Sequence, residues 1–105
     1  MKDFKHAVLH AMLPHIILTQ AAAQPVNGYA IIKLLRAKYG VFLSPSVIYP
    51  GLAQLEREGL VKSEWSIIFG RPRRMYSITA RGHMELVQMD ATISLVTYAQ
   101  VVHSG

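Results

Sequence analysis

Arg71, Arg73 and Arg74 stand within four residues of one another, and guanidinium groups so crowded repel unless an anion lies between them. Their planar forks match phosphate oxygens and enter narrow minor grooves, so the chemistry they suggest is recognition of a polyanionic backbone. The bland alternative is a solvated charged turn. Upstream, Ser44, Ser46 and Tyr49 supply hydroxyls that donate to phosphates or base edges. With Pro50, Ala53, Gln54 and Arg57 they form the candidate contact set, the arginine cluster included.

The histidines offer a different chemistry. His6 and His10 are four apart, as two ligands on one helix would be, and His15 follows. There is no Cys, and Asp3 is the one carboxylate close by, so no metal site is assigned. A metal-responsive regulator using these N-terminal histidines stays an alternative. His83 and His103 read as solvent-facing. No Ser-His-Asp grouping, paired acids or glycine-rich phosphate loop can be assembled, so neither an enzyme nor a cofactor is expected.

These residues need elements to position them. Phe4, Val8, Met12, Leu13, Ile16 and Ile17 recur at helical spacing, which predicts helix from Asp3 to Ala23, kinked or divided at Pro14. Asn27 suits an N-cap for a second helix ending at Tyr39, with Gly40 as its stop. A third helix runs from an N-cap at Ser46 to Glu58. Its core side is Ile48, Leu52 and Leu55, which leaves Ser46, Pro50, Ala53 and Arg57 opposite, flanked by Tyr49 and Gln54. With Ser46 as the cap, Pro50 takes the fourth helical position, where a missing N–H matters little.

Val61 to Ile67 and Arg74 to Ile78 read as the strands of a hairpin whose loop, around Gly70 and Pro72, carries the charge. Trp65 is expected to anchor that hairpin in the core. Thr79 opens a last helix, Ala80 to about Val102, with two apolar stripes. Met84, Val87, Ala91, Leu95, Tyr98 and Val102 form one. Leu86, Met89, Ile93 and Val96 form the other, and with Tyr98 they are the expected dimer contacts.

The composition agrees with this plan. At 105 residues the chain is expected to form one domain over 1–105, with a helix-turn-helix at about 27–58, a wing hairpin at about 61–78 and a dimerisation helix at about 79–103. Hydrophobic residues are 51% and charged residues 16%, too greasy for a disordered tail and sufficient to favour burial against a second copy. Eleven Lys and Arg against six Asp and Glu give a net charge of +5, which favours nucleic acid as partner. The absence of Cys suits a reducing compartment, so the cytoplasm is expected. Ala7 to Ala23 is too short and too polar to span a membrane, and the acid in Met1-Lys2-Asp3 argues against a secretory signal.

Mainly α with a small β-hairpin, in the order helix, helix, helix, hairpin, long helix, is the plan of a winged helix-turn-helix, whose second motif helix enters the major groove of duplex DNA. The details resemble one family. Asn27-Gly28-Tyr29, Ser44-Pro45-Ser46-Val47-Ile48-Tyr49-Pro50 and Leu55-Glu56-Arg57-Glu58-Gly59-Leu60-Val61, followed by Gly70-Arg71-Pro72-Arg73-Arg74, Tyr76, Thr79 and Gly82, are similar to the signature of PadR-like regulators over about Leu9 to Leu86. The resemblance implies a cytoplasmic homodimer that represses or activates transcription, reads double-stranded DNA with its third helix and wing, and dimerises through its first and last helices. It also admits a small-molecule effector. The chain departs from the family at Ala53-Gln54, where basic residues are common, and at Ile67-Ile68-Phe69, where polar or glycine-rich sequence is usual. That apolar segment packs on the body or on a partner. A winged-helix module that binds protein instead of DNA is the alternative.

Overall fold

A computed structural model describes residues 3–103, with side chains to residue 100. Met1, Lys2 and the side chains of Val102 and His103, all named above, lie outside that description. The elements are α1 (Phe4–Ala11), α2 (Leu13–Ala23), α3 (Gly28–Tyr39), α4 (Pro45–Arg57), β1 (Val61–Ile68), β2 (Arg71–Ile78) and α5 (Ala80–His103).

The Asp3 side chain caps α1 by accepting from the Lys5 N–H at 3.0 Å. Pro14 divides the first helical stretch instead of kinking it, because it occupies the opening turn of α2, where backbone N–H groups have no intrahelical acceptor. The resulting α2 is apolar on nearly every side and is buried accordingly, with Leu13, Ile17, Leu18 and Ala21 in the core and α4, α5 and β2 packed around it.

Asn27 Oδ1 accepts from the Ala30 N–H at 2.8 Å and starts α3, and Gly40 ends it in the left-handed region at φ 67°. α4 begins two residues earlier than the sequence pattern indicates. Ser44 is its cap residue, and the Ser44 carbonyl accepts from Val47 at 2.9 Å and Ile48 at 3.0 Å. Pro45 then supplies the pre-set φ of a first helical residue. Pro50 consequently sits at the sixth position, deeper than the fourth expected, and the Ser46 carbonyl loses its α-helical donor.

The wing also differs from expectation. β1 and β2 are antiparallel and paired up to Ile68 with Arg71, so the loop is only Phe69 and Gly70. Both have positive φ, 50° and 77°, as a tight primed turn requires. Arg71, Arg73 and Arg74 therefore stand on a strand and not in a loop, and their crowding is relieved by alternation. Arg74 shares a face with Trp65, Ile67, Pro72 and Tyr76, while Arg71 and Arg73 leave the strand on the other, from which the Arg73 guanidinium reaches Tyr29. Val26 adds a one-residue bridge to the outer edge of β2, its N–H donating to the Tyr76 carbonyl at 3.0 Å.

The core joins Ile17, Leu18, Ile31, Leu35, Ile48 and Leu52, each fully buried, to Leu43, Val61 and Tyr76. The last helix is locked at its start. Thr79 Oγ1 donates to the Gly59 carbonyl at 2.7 Å and accepts from the Gly82 N–H at 3.0 Å. From there α5 extends about 36 Å at 1.5 Å per residue. Leu86 and Met89 pack on the core and Ile93 is half-buried, whereas Ser94 to Tyr98 are exposed. The far half of α5 thus projects from the body, which measures 55 × 32 × 20 Å with it.

Candidate nucleic-acid interface

The exposed side of α4 carries small and polar groups. Ser46, Tyr49, Pro50, Gln54 and Arg57 are exposed and Ser44 and Ala53 half-buried, while Ile48, Leu52 and Leu55 hold the opposite side in the core. Ser44 Oγ and Ser46 Oγ are hydrogen-bonded at 2.7 Å, and Arg57 donates to Gln54 Oε1, so each pair presents itself jointly.

Tyr49 is positioned by its contact with α3. Its ring lies so close to Gly28 that a Cβ there would meet Cε1 at 2.5 Å. Glycine at the opening of α3 is what allows the ring to sit down on the backbone. The wing closes the other side: Asn27, Tyr29, Tyr49, Trp65, Arg73 and Arg74 line a cleft of about 180 Å³ between α3, α4 and the hairpin. Three of the expected contact residues, Tyr49, Arg73 and Arg74, meet in it.

The arginines are differently employed. Arg74 Nε donates to Ser63 Oγ at 2.9 Å, Ser63 Oγ donates to Glu56 Oε2 at 2.6 Å, and the Arg74 guanidinium lies 3.7 Å from Glu56 Oε1 and 5.6 Å from the centre of the Trp65 ring. This chain of contacts ties the wing to α4 and offsets part of the Arg74 charge. Arg73 lies 5.6 Å from the Tyr29 ring centre, and Lys33 Nζ lies 5.4 Å from the same centre. Tyr29 thereby gathers two cations from separate elements. Tyr29 is exposed, and its place in the first turn of α3, two residues after the cap, was the available signal.

Trp65 is not a core anchor. It is 66% exposed, because its register on β1 faces it beyond the end of the core, toward Arg74. The apolar segment divides: Ile68 is 37% exposed and lines a shallow cleft with Gln24 and Pro25, whereas Ile67 is 70% exposed and Phe69 wholly so. Tyr76, on the same strand as the arginines, is buried, and burial raises its phenol above the ordinary tyrosine value, with Arg74 pulling the other way.

On α5 the expected dimer contacts divide. Leu86 and Met89 are taken up by the chain's own core, because α5 lies against α2 on that side. Val96 and Tyr98 are exposed, as are Met84, Val87 and Leu95 of the other stripe. The histidines also separate. The His6 and His10 rings meet edge to face at 6.5 Å, whereas His15 Nε2 lies 2.6 Å from Asp90 Oδ1 and ties α2 to α5. Among the described residues no three His, Asp or Glu side chains are grouped as metal ligands would be, and no helix is long and apolar enough to cross a membrane.

Comparison with known proteins converges on one family. Residues 17–88 match the model of the transcriptional regulator PadR-like family. The transcriptional regulator Rv3488 of Mycobacterium tuberculosis is 33% identical over 88 residues, which are 84% of this chain and 78% of that protein. Among solved structures, a PadR-like transcriptional regulator from Bacillus cereus superposes with TM-score 0.81 at 26% identity, covering 94% of this chain and 98% of its own. Bacillus subtilis PadR in complex with operator DNA superposes with TM-score 0.66 at 27% identity, over 74% of this chain and 47% of that one.

Proposed function

The chain belongs to the PadR-like family of transcriptional regulators, and from that premise we propose that it is a homodimeric, cytoplasmic repressor that binds specific sequences in double-stranded DNA. The observation that carries the reading is the continuity of the exposed side of α4 with the arginine-bearing wing through Glu56, Ser63 and Arg74. A helix clad in small and hydroxyl-bearing residues suits entry into the major groove, and an attached cationic hairpin suits the flanking backbone. Ser44, Ser46, Tyr49, Pro50, Ala53, Gln54 and Arg57 are the proposed groove contacts; Arg71, Arg73 and Arg74 are the wing contacts. The solved complex of Bacillus subtilis PadR with operator DNA supports this use of the shared fold.

The exposed apolar residues of α5 support self-association. Val96, Leu95 and Tyr98 project past the body and are the proposed centre of the dimer contact, with Ile93 at its inner edge. A cleft of about 340 Å³ between α2 and α5, lined by Met12, Pro14, His15, Met89, Thr92 and Ile93, has the size for a small effector next to that contact. The test is selection of duplexes from a random pool followed by binding across a salt series. Enrichment of a common sequence with salt-sensitive affinity is expected; indifference to sequence at every salt concentration would remove the reading.

A further inference from the structure

Among the described residues the tip of the wing is the most exposed apolar part, and neither packing nor backbone preference accounts for Ile67 and Phe69. Phe69 is 101% exposed and Ile67 70%. Phe69 also adopts φ 50°, a region that bulky L residues rarely take and that Asn or Gly would occupy more easily. The surroundings are cationic. Arg71 follows the turn directly and Arg73 and Arg74 stand behind it, whereas Glu56, the acid nearest the wing's inner face, is already engaged by Ser63 and Arg74. Ile67 shares that inner face with Trp65 and Arg74, on the side continuous with α4.

An apolar wedge with an arginine collar is complementary to a duplex, in which two phosphate rows flank a stack of apolar base faces. From Val61 to Ile68 the hairpin reaches roughly 24 Å at about 3.4 Å per residue, enough to carry its tip from the groove holding α4 to the neighbouring minor groove. We propose that the wing inserts Phe69, backed by Ile67, against the bases of the minor groove, partly unstacks one step and bends the duplex, while Arg71 and Arg73 hold the flanking phosphates. The proposal rests on the duplex-binding reading and deepens it. It makes the wing a sensor of deformability, with pyrimidine–purine steps the favoured target because they unstack most easily.

Phe69→Asn tests it cleanly, because Asn-Gly is a preferred pair for this turn and the variant keeps the hairpin. Duplexes selected by the parent protein from a random pool would carry end dyes for energy transfer and a fluorescent adenine analogue at successive steps. The parent should bend them and brighten the analogue at one step. Phe69→Asn should bind about tenfold more weakly, with bend and brightening lost, and Ile67→Thr should lose part of both. A parent that binds without bending or unstacking, or a Phe69→Asn variant that bends as the parent does, overturns the wedge and leaves the duplex reading standing. Failure of the parent to bind any selected duplex overturns both. If Phe69→Asn instead abolishes retention on anionic lipid vesicles or self-association and leaves DNA bending intact, the tip serves another surface and the proposal falls.

Discussion

The ring of Tyr49 rests on Gly28, with Cε1 2.5 Å from where a Cβ would stand, so the first residue of α3 sets the position of a proposed reading side chain on α4. A second glycine, Gly82, is crowded in a different way: a Cβ there would fall 2.1 Å from the Leu60 carbonyl oxygen, which is backbone and cannot swing aside. Gly82→Ala should therefore lose several kcal/mol of stability or fail to fold, beyond the ~1–3 kcal/mol usual for overpacking. Gly28→Ala should stay folded, because the half-exposed Tyr49 ring can rotate away, but should change sequence preference. Thermal melts beside binding selections check both; equal destabilisation of the two variants would contradict the assignment.

Ser46 and Tyr49 can be tested without harm to the helix. Since Ser44 and not Ser46 is the cap residue of α4, Ser46→Ala escapes the ~1 kcal/mol capping loss and should leave the melting temperature nearly unchanged. Tyr49→Phe keeps the ring on Gly28. Each should cost on the order of 1 kcal/mol in binding to the selected sequence and less on random duplex. Unchanged discrimination in both variants would move the reading function off α4.

The salt dependence of binding should separate the arginines. From sequence they are equivalent, but Arg74 already faces Glu56 at 3.7 Å, while Arg73 leans on a neutral ring. Arg73→Ala should lower the salt slope by about 0.9 per subunit, the value for one phosphate, and Arg74→Ala by clearly less. Equal drops for the two would mean that Glu56 releases Arg74 on binding.

Much of this was legible in the sequence, and what was missed has identifiable causes. Helical periodicity locates α3, α4 and α5, and Asn27 and Gly40 mark the ends of α3. The start of α4 was misjudged because Ser44 and Ser46 are equally good caps, and only Pro45, fit for a first helical position, distinguishes them. The hairpin loop was drawn too long because Phe69 is a poor residue for positive φ, so a two-residue turn was not suspected. Trp65 was assigned to the core on residue type alone; its exposure depends on how far the wing outruns the body, which is a tertiary fact. The two apolar stripes of α5 are visible in the sequence, but which of them faces α2 is set by how the helix leaves the body, where Gly82 packs on the Leu60 carbonyl.

Tyr76 gives the fold a weak point in alkali. Burial raises its phenol above the ordinary value near 10, so the folded state holds the proton more tightly than the unfolded chain. The resulting stabilisation is complete below the unfolded value and is lost as the pH rises through the folded one. Denaturant midpoints should therefore fall with pH above about 10, and Tyr76→Phe should remove that part of the decline. Tyrosinate absorbance would report the same transition; a Tyr76→Phe variant with an unaltered alkaline limb would locate the titration elsewhere.

The two apolar sides of α5 should respond to mutation in opposite ways. Leu86 and Met89 are committed to the chain's own core, so Leu86→Ala and Met89→Ala should reduce stability, by less than the ~2–5 kcal/mol of fully buried sites, and leave the folded molecules associated. Leu95 and Tyr98 are 67% and 68% exposed and touch no core residue, so their replacement by Glu should not disturb the protomer. If they form the dimer contact, placing like charges opposite one another across a two-fold axis should make Leu95→Glu with Tyr98→Glu monomeric by sedimentation. Binding to a palindromic duplex should then weaken far more than binding to a single half-site. A Leu95→Glu, Tyr98→Glu variant that still sediments as a dimer would shift the contact to α1 and the inner half of α5, where Phe4, Met84 and Val87 are also exposed.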